Sequence, residues 1–306
     1  MLKFLSGITD SRLGLTATAR PGRKPLACTI IAALIVLLVV PGFVRPAAAA
    51  TTPTLDPGAV NSAVSSSTNP ISTSITYTNT NDLVYVVVAV DPAGSSPSIG
   101  LPSASGLSFA SRCAINGGTL GVYMASFYAV ASSAASSGIS ISASFSGAVG
   151  ATATMVAFAV TGEDTAAPFD PNLSSCPAGA TGTTQTSGTI TFSTTGTDDF
   201  VIGSAAIFGS ALTGSIAVGS GFTSIASVGG VASQAGAEYL TTSTAGSQAP
   251  AYSFPGAAVA WAMIGDAFVT TGGASNVPDL PFGALPLVMA VPVVYAIARR
   301  RRALGP

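Results

Sequence analysis

Carboxylates are the side chains in this sequence that could perform chemistry, because the other common catalytic groups are scarce. The 306 residues include no histidine, which excludes Ser-His-Asp and Cys-His catalysis and histidine-ligated zinc. The last lysine is Lys24, so Schiff-base chemistry is excluded from the rest of the chain. A glycosidase needs two carboxyl groups facing each other across a cleft, and the candidates are Glu163-Asp164 and Asp198-Asp199. Neighbouring residues on a strand point to opposite faces, so the sequence predicts a non-enzymatic protein.

Coordination of calcium is a more plausible role for the acids of this chain than catalysis. Glu163, Asp164, Asp170 and Asn172 follow one another on a single predicted loop, and hard oxygen ligands suit calcium. The alternative is that Asp and Asn open turns here and accept backbone hydrogen bonds. No other cofactor is predicted. Asn172 also begins the sequon Asn172-Leu173-Ser174, which predicts glycosylation of an exported chain.

The cysteine count favours one disulfide. Of the three cysteines, Cys28 lies at the start of an apolar run near the N-terminus, and Cys113 and Cys176 remain in the body of the chain. An even number of cysteines in an exported protein predicts a Cys113–Cys176 disulfide. The alternative is two separate buried thiols.

The charges are distributed very unevenly along the chain. Between residues 51 and 298 the only basic residue is Arg112, against eleven acids, a net charge of −10. A surface so poor in cations cannot neutralise phosphates, which excludes nucleic acid as a partner.

The two ends of the chain predict export and anchoring. Residues 1–24 contain five bases, and the apolar run 27–40 and the small-residue stretch 47–50 follow them, in the order of a secretory signal peptide. The alternative, an uncleaved anchor, is disfavoured because about 14 apolar residues fall short of the roughly 20 that span a bilayer. At the other end, residues 271–283 predict a linker and residues 284–306 a transmembrane helix with a cytoplasmic arginine cluster. The charge-free stretch runs from Leu280 to Ala298, and the stop-transfer residues are Arg299, Arg300, Arg301 and Arg302.

A short motif precedes this anchor. It consists of Pro278, Asp279, Leu280, Pro281, Phe282 and Gly283. The motif, the apolar helix and the arginines together resemble the C-terminal sorting signals of surface proteins processed by sortase-like or exosortase/archaeosortase-like transpeptidases. The resemblance implies such an enzyme as a partner and cleavage near the motif. The motif departs from the family patterns, since the threonine of Leu-Pro-x-Thr-Gly is missing and Pro-Asp-Leu-Pro replaces Pro-Glu-Pro. A permanent single-span anchor is the alternative.

The body of the chain is predicted to be all-β. Short runs of β-branched and aromatic residues alternate with Gly, Ser, Pro and Asn over residues 71–270, as in an antiparallel, jelly-roll-like β-sandwich. Residues 51–70 are predicted to be a linker or an N-terminal arm. Asn81-Asp82-Leu83-Val84 and Asp198-Asp199-Phe200-Val201 begin similar stretches, which indicates an internal duplication of 81–160 and 198–269. Leu83–Val90 and Phe200–Ile207 should therefore be equivalent central strands. One sandwich is favoured over two small ones.

The strand spacing and the Asn/Asp-led strand starts are similar to lectin-like jelly-roll domains of bacterial and archaeal surface proteins. The sequence therefore predicts a structural, adhesive or envelope protein, on the extracellular face of the cell envelope and held in the membrane by its C-terminal helix. The alternatives are a carbohydrate-binding module and a secreted carboxylate-dependent hydrolase. Surface glycans or neighbouring subunits are the predicted partners. Trp261, the only tryptophan, lies in an apolar run and is predicted to be in the core rather than in a sugar site.

Overall fold

The computed structural model describes residues 51–65, 68–91, 97–117, 122–146, 152–173, 178–209, 212–255 and 259–270. The predicted signal peptide, sorting motif, arginine cluster and both terminal helices lie outside these ranges. Within them, no helix is long and apolar enough to cross a membrane, and the helical content is one 3₁₀ turn, Pro171–Leu173.

The described residues form nineteen β-strands in two successive sets. The first set consists of β1 (Thr54–Ser65), β2 (Ile71–Tyr77), β3 (Leu83–Val90), β4 (Ser98–Ile99), β5 (Ala110–Asn116), β6 (Tyr123–Val130), β7 (Ala135–Ala143), β8 (Phe145–Ser146) and β9 (Ala153–Thr161). The second set consists of β10 (Ala178–Gln185), β11 (Ser187–Thr189), β12 (Phe192–Thr194), β13 (Phe200–Phe208), β14 (Ala217–Val218), β15 (Thr223–Gly229), β16 (Ser233–Thr241), β17 (Gly246–Gln248), β18 (Ala251–Ser253) and β19 (Val259–Phe268). All named pairs of strands are antiparallel. The predicted all-β, antiparallel class is confirmed.

Each set builds one large sheet with the same strand order. The first is β1-β9-β3-β6-β5 and the second is β10-β19-β13-β16-β15. Leu83–Val90 and Phe200–Phe208 are thus the third strands of equivalent sheets, as the paired sequence motifs predicted. Smaller sheets accompany them: β2-β7 and β4-β8 in the first set, β11-β18-β14 and β12-β17 in the second.

The two large sheets pack against each other, and each also covers its own small sheets. Leu83, Tyr85 and Val87 of β3 share a core with Phe200 and Ile202 of β13. The alternate residues of β3 face the small sheet β2-β7, and those of β13 face the second small sheets. Burial on both faces explains why β3 and β13 are apolar at nearly every position, since alternation is expected only where one face is wet.

The sandwich begins earlier than the sequence indicated. Thr54–Ser65, predicted as a linker or arm, is the edge strand β1, paired with β9 from Thr54↔Thr161 to Ser65↔Ala153. The pairing is interrupted between Leu55 and Val60, where Asp56-Pro57-Gly58 forms a bulge. A bulged, polar edge strand lacks the long alternation on which strand prediction depends.

Candidate functional site

The most strongly connected polar group lies between the two large sheets. Arg112 donates from Nε to Oδ2 of Asp266 (2.8 Å) and from Nη2 to Oδ1 (2.9 Å), and the two side chains are 7% and 0% exposed. Tyr85 donates its hydroxyl to the same carboxylate (3.3 Å). Arg112 also donates to the carbonyl of Leu173, and its guanidinium carbon lies 3.8 Å from the ring centroid of Phe169. This inter-sheet ion pair joins the first large sheet, the connecting segment and the second large sheet.

A β-bulge explains how Arg112 reaches this layer. The β5–β6 register skips one residue between Ser111 and Cys113, and bulges re-aim the extra side chain. The equivalent β15–β16 register skips Ile225, which packs against the same core. The duplicated sheets therefore share the bulge, but only the first half places a cation there.

The pair is ionised because arginine does not lose its proton in proteins. Burial alone would lower the pKa of Arg112, but the bonds to Asp266 raise it. Burial raises the pKa of Asp266, and Arg112 opposes that shift. The free energy of desolvating both charges offsets much of their attraction, so a buried ion pair is not in itself evidence of stability. Removing only one of the two partners destabilises the fold, because the other charge then remains buried without a partner.

Two clusters of buried acids lie in equivalent positions of the two halves. The first carboxyl cluster contains Asp56, Asp82 and Glu163, and the second contains Asp170 and Asp199. Asp82 and Asp199 precede β3 and β13, and each interacts with an acid from earlier in the chain, Asp56 or Asp170. The backbone of the preceding residue has positive φ in both halves, 71° at Asn81 and 63° at Asp198, which short polar side chains tolerate.

Asp56 and Asp170 each accept several hydrogen bonds. Asp170 accepts bonds from the amides of Asn172 (2.8 Å), Thr195 (2.6 Å) and Gly196 (3.3 Å), and from the hydroxyl of Thr195.

Asp56 has the equivalent bonds in the first half. It accepts from the amide of Gly58 (3.0 Å) and from the amide (2.9 Å) and hydroxyl (3.0 Å) of Thr78. Burial alone would raise the pKa of Asp56, but these bonds outweigh it and leave the pKa below its ordinary value. Asp56 thus ties the bulge in β1 to Thr78, which follows β2, and Asp170 ties the 3₁₀ turn to residues 195–196, which precede β13.

The partner acids have fewer donors. Asp82 accepts a bond from the amide of Asn79 at Oδ2 (3.3 Å), while its Oδ1 has no hydrogen-bond partner in the described part of the chain. Asp199 is 0% exposed, and no hydrogen bond of ordinary geometry reaches either of its carboxyl oxygens among the described residues. Burial, and then the neighbouring Asp170, raise its pKa to about 6. Glu163 is 2% exposed, and both of its carboxyl oxygens also lack a hydrogen-bond partner of ordinary geometry among the described residues. Burial raises the pKa of Glu163 to about 8, and the nearby charge of Asp82 raises it further. Burial also raises the pKa of Asp82. At these sites burial favours the neutral, protonated form of the carboxyl group over the ionised form.

Another buried carboxyl whose pKa is raised, Glu238, connects strands of the second small sheets. It accepts bonds from the amides of Gly219 (2.9 Å) and Ala251 (2.9 Å). Burial raises its pKa to about 7, although these two amides oppose the shift.

The structure distributes the four predicted calcium ligands among different partners. Glu163 lies beside Asp82, Asp164 accepts bonds from the amides of Ala166 and Ala167, and Asp170 is engaged as described above. Asn172 is exposed and donates to the carbonyl of Ser193 (3.3 Å). No group of three or more His, Cys, Asp or Glu that could hold a metal ion occurs in the described ranges. Calcium binding stays a prediction, as does glycosylation of Asn172.

The predicted disulfide also stays a prediction, because Cys176 lies outside the described residues. The residues around it approach Cys113, which is buried. Leu173 accepts a bond from Arg112, and the backbone of Gly179 lies against the side chain of Ile115.

Neither acid pair considered for hydrolysis forms an open site. Glu163 and Asp199 are buried, and only Asp198 is well exposed. Trp261 is 5% exposed and packs against Phe254, with 5.8 Å between ring centroids, so its predicted core position is confirmed. Comparison of the chain with family models, curated proteins and solved structures returns no match.

Sequence reasoning missed the inter-sheet ion pair and both carboxyl clusters. The available signal for the ion pair was that Arg112 is the single base among residues 51–298, since an isolated base in a cation-free domain is a candidate for a buried partner. The available signal for the clusters was the repeat of Asp-Pro at 56–57 and 170–171.

Proposed function

We propose that this chain is a non-enzymatic protein of the outer cell surface with a structural, adhesive or envelope role. Its signal peptide (1–50) exports it, and its C-terminal helix (284–306) holds it in the membrane. The β-strand region is the part exposed outside the cell. Cleavage at residues 278–283 by a sortase-like enzyme, which would remove the helix and attach the protein to the surface in another way, is the alternative to this anchor.

The observation that carries the proposal is that most charged side chains of the β-strand region are buried, so few charges remain on its surface. Residues 51–270 contain ten acids and one base. Seven of the acids are buried: Asp56, Asp82, Glu163, Asp170, Asp199, Glu238 and Asp266. The one base, Arg112, is paired with Asp266, and only 7% of its side chain is exposed. A surface almost without charge supports close contact with neighbouring copies or wall polymers, because like-charge repulsion is small.

The outer face of the small sheets supports the same role. Outward positions of β2 and β7 carry hydroxyls, and Ser72 donates to Ser142 across the strands (2.9 Å). Ser98 and Ser146 are bonded in the same way on β4 and β8 (2.6 Å). Cross-strand hydroxyl bonds add stability to a solvated face without adding charge.

Burial of the acids favours a non-enzymatic role over hydrolysis. The catalytic acid of a glycosidase must contact its substrate, whereas the side chains of Glu163 and Asp199 are buried and inaccessible from solvent. A cleft of about 220 Å³ is lined by Leu212, Ser215, Ser227, Val231 and Gln234 among others. It is smaller than the roughly 300–1,000 Å³ typical of small-molecule sites.

A jelly-roll-like origin of each half is also proposed. Its support is that the chain passes repeatedly between sheets: β1, β3, β5, β6 and β9 belong to the large sheet, and β2, β4, β7 and β8 to the small ones. Such passage between sheets is the organisation of two sheets wound as Greek keys.

A glycan array probed with the exported protein, with and without calcium, tests the choice between roles. A structural protein is expected to show no saturable binding in either condition. Saturable binding that free sugar reverses would replace the structural role with the lectin-like one, and release of sugar from the array would indicate a hydrolase.

A further inference from the structure

Both ends of the described chain leave the sandwich beside the same short segment. Thr54 pairs with Thr161, and the hydroxyl of Thr51 donates to the carbonyl of Gly162 (3.2 Å). Glu163 forms a β-bridge with Thr270. The first and the last described residues of the chain, near Thr51 and Thr270, therefore both lie beside residues 161–163. We call this the tether end.

The opposite end of the second large sheet, the far end, is well separated from the tether end. Phe200 pairs with Phe268 at the tether end, and Phe208 pairs with Ala260 at the far end. Eight residue steps of about 3.3 Å separate these two pairs, which amounts to about 26 Å along the strands. The sheet is rigid over this distance because β13 is paired on both sides, with β16 and β19.

The far end carries the cleft described above. It lies at the β15–β16 turn, where the Gly230 amide donates to Ser233 (2.8 Å) and the Leu212 amide to Val231 (2.9 Å). Val231 is 74% exposed, more than Leu101 (58%), the other exposed large hydrophobic residue among the described residues. The carboxyl clusters lie at the tether end, beside the starts of β3 and β13 and the residues that follow β9.

We propose that the anchored protein stands with its tether end toward the membrane and presents its far end, with the β15–β16 turn and its cleft, to the surroundings. This orientation rests on the proposed anchoring function. The predicted linker 271–283 follows Thr270 and leads to the anchor, so the connection to the membrane and the new N-terminus left by the signal peptide both begin at the tether end. The far-end turn is then the surface that a neighbouring cell or molecule meets first.

Two single-cysteine labels on the same sheet test the orientation. Val231→Cys places a fluorescent donor at the far end, and Asp198→Cys places it in the exposed turn before β13 at the tether end. The full chain is reconstituted into vesicles containing an acceptor lipid, and label taken up by the unmodified chain is subtracted. Thr197 and Gly230, which are also exposed, replace these positions if either variant loses the buried-tryptophan fluorescence of the folded state.

Energy transfer to the membrane should be several-fold stronger from position 198 than from position 231, because about 26 Å of sheet separates the two ends. Equal transfer, or stronger transfer from position 231, with the chain retained in the vesicle pellet, overturns the orientation while leaving the anchor intact. Loss of the chain from the pellet overturns the anchor and the orientation together.

Discussion

Replacing Arg112 with methionine should destabilise the protein more than any surface substitution. The variant leaves Asp266, which is 0% exposed, as a buried carboxylate without its cation. Removing one partner of a buried ion pair costs about 3–5 kcal/mol. The contact with Phe169 adds about 0.5–2 kcal/mol, and methionine recovers part of the lost packing. We therefore expect a loss of about 4 kcal/mol, a large share of the 5–15 kcal/mol by which domains are stable.

The assay is urea unfolding of the full chain in mild detergent at pH 7, followed by Trp261 fluorescence and far-ultraviolet circular dichroism. Arg112→Lys is the matched control, because it keeps the charge but loses the two-pronged contact, so its loss should be smaller. The double variant Arg112→Met with Asp266→Leu should regain most of the stability, since an apolar pair can replace a buried ion pair. The cost of Arg112→Met should also shrink in acid, where Asp266 takes up a proton.

The account of this ion pair would be refuted by a loss below about 1 kcal/mol in Arg112→Met. It would equally be refuted by a double variant no more stable than the single one, because the cost would then not come from an unpaired carboxylate.

Further predictions concern pH, packing, the disulfide and calcium. The raised pKa of Asp199 adds stability that is complete below about pH 4 and is lost as pH rises through about 6, a loss of roughly 2–3 kcal/mol; Asp199→Asn should remove this step from the melting profile, and an unchanged profile would contradict it. Gly182→Ala should cost about 1–3 kcal/mol and alter the fluorescence of Trp261, because a Cβ there would collide with the indole Nε1; wild-type stability would show that the site can relax. Counting thiols in the denatured exported protein should reveal none from Cys113 and Cys176 until a reductant is added, and two free thiols without reductant would exclude the bridge. Calcium should raise the melting temperature above that measured in chelator if the four predicted ligands bind it, and equal values would reject that site.

The class of fold and the central strands could be predicted from the sequence because both are consequences of burial. Leu83–Val90 and Phe200–Phe208 are buried at every position, and an uninterrupted apolar run bounded by turn residues has few other interpretations. The repeated Asp-Leu-Val and Asp-Phe-Val starts identified them as equivalent. The edge strand β1 was missed because its pattern is broken by a bulge and it has one neighbour, β9, within the large sheet.

The candidate site was less accessible to sequence reasoning, because it depends on contacts between distant residues. Arg112 and Asp266 are 154 residues apart, and Asp56 reaches Thr78 only after β1 and β2 have formed. Grouping Glu163 with Asp170 by proximity in the sequence was misleading for a related reason. The chain crosses from one half to the other between them, so each acid joins the cluster of a different half.

Truncation of the chain at Gly273 is the most direct test of the proposal that this is a tail-anchored surface protein. Arginine at the centre of a bilayer costs about 2.5–3.5 kcal/mol, so four consecutive arginines should remain on the cytoplasmic side. Full-length chain should fractionate with the envelope and be accessible to protease added to intact cells, whereas the truncated chain should appear folded in the medium. Full-length protein recovered soluble from the medium, with Arg299 to Arg302 still present by mass spectrometry, would contradict the proposal.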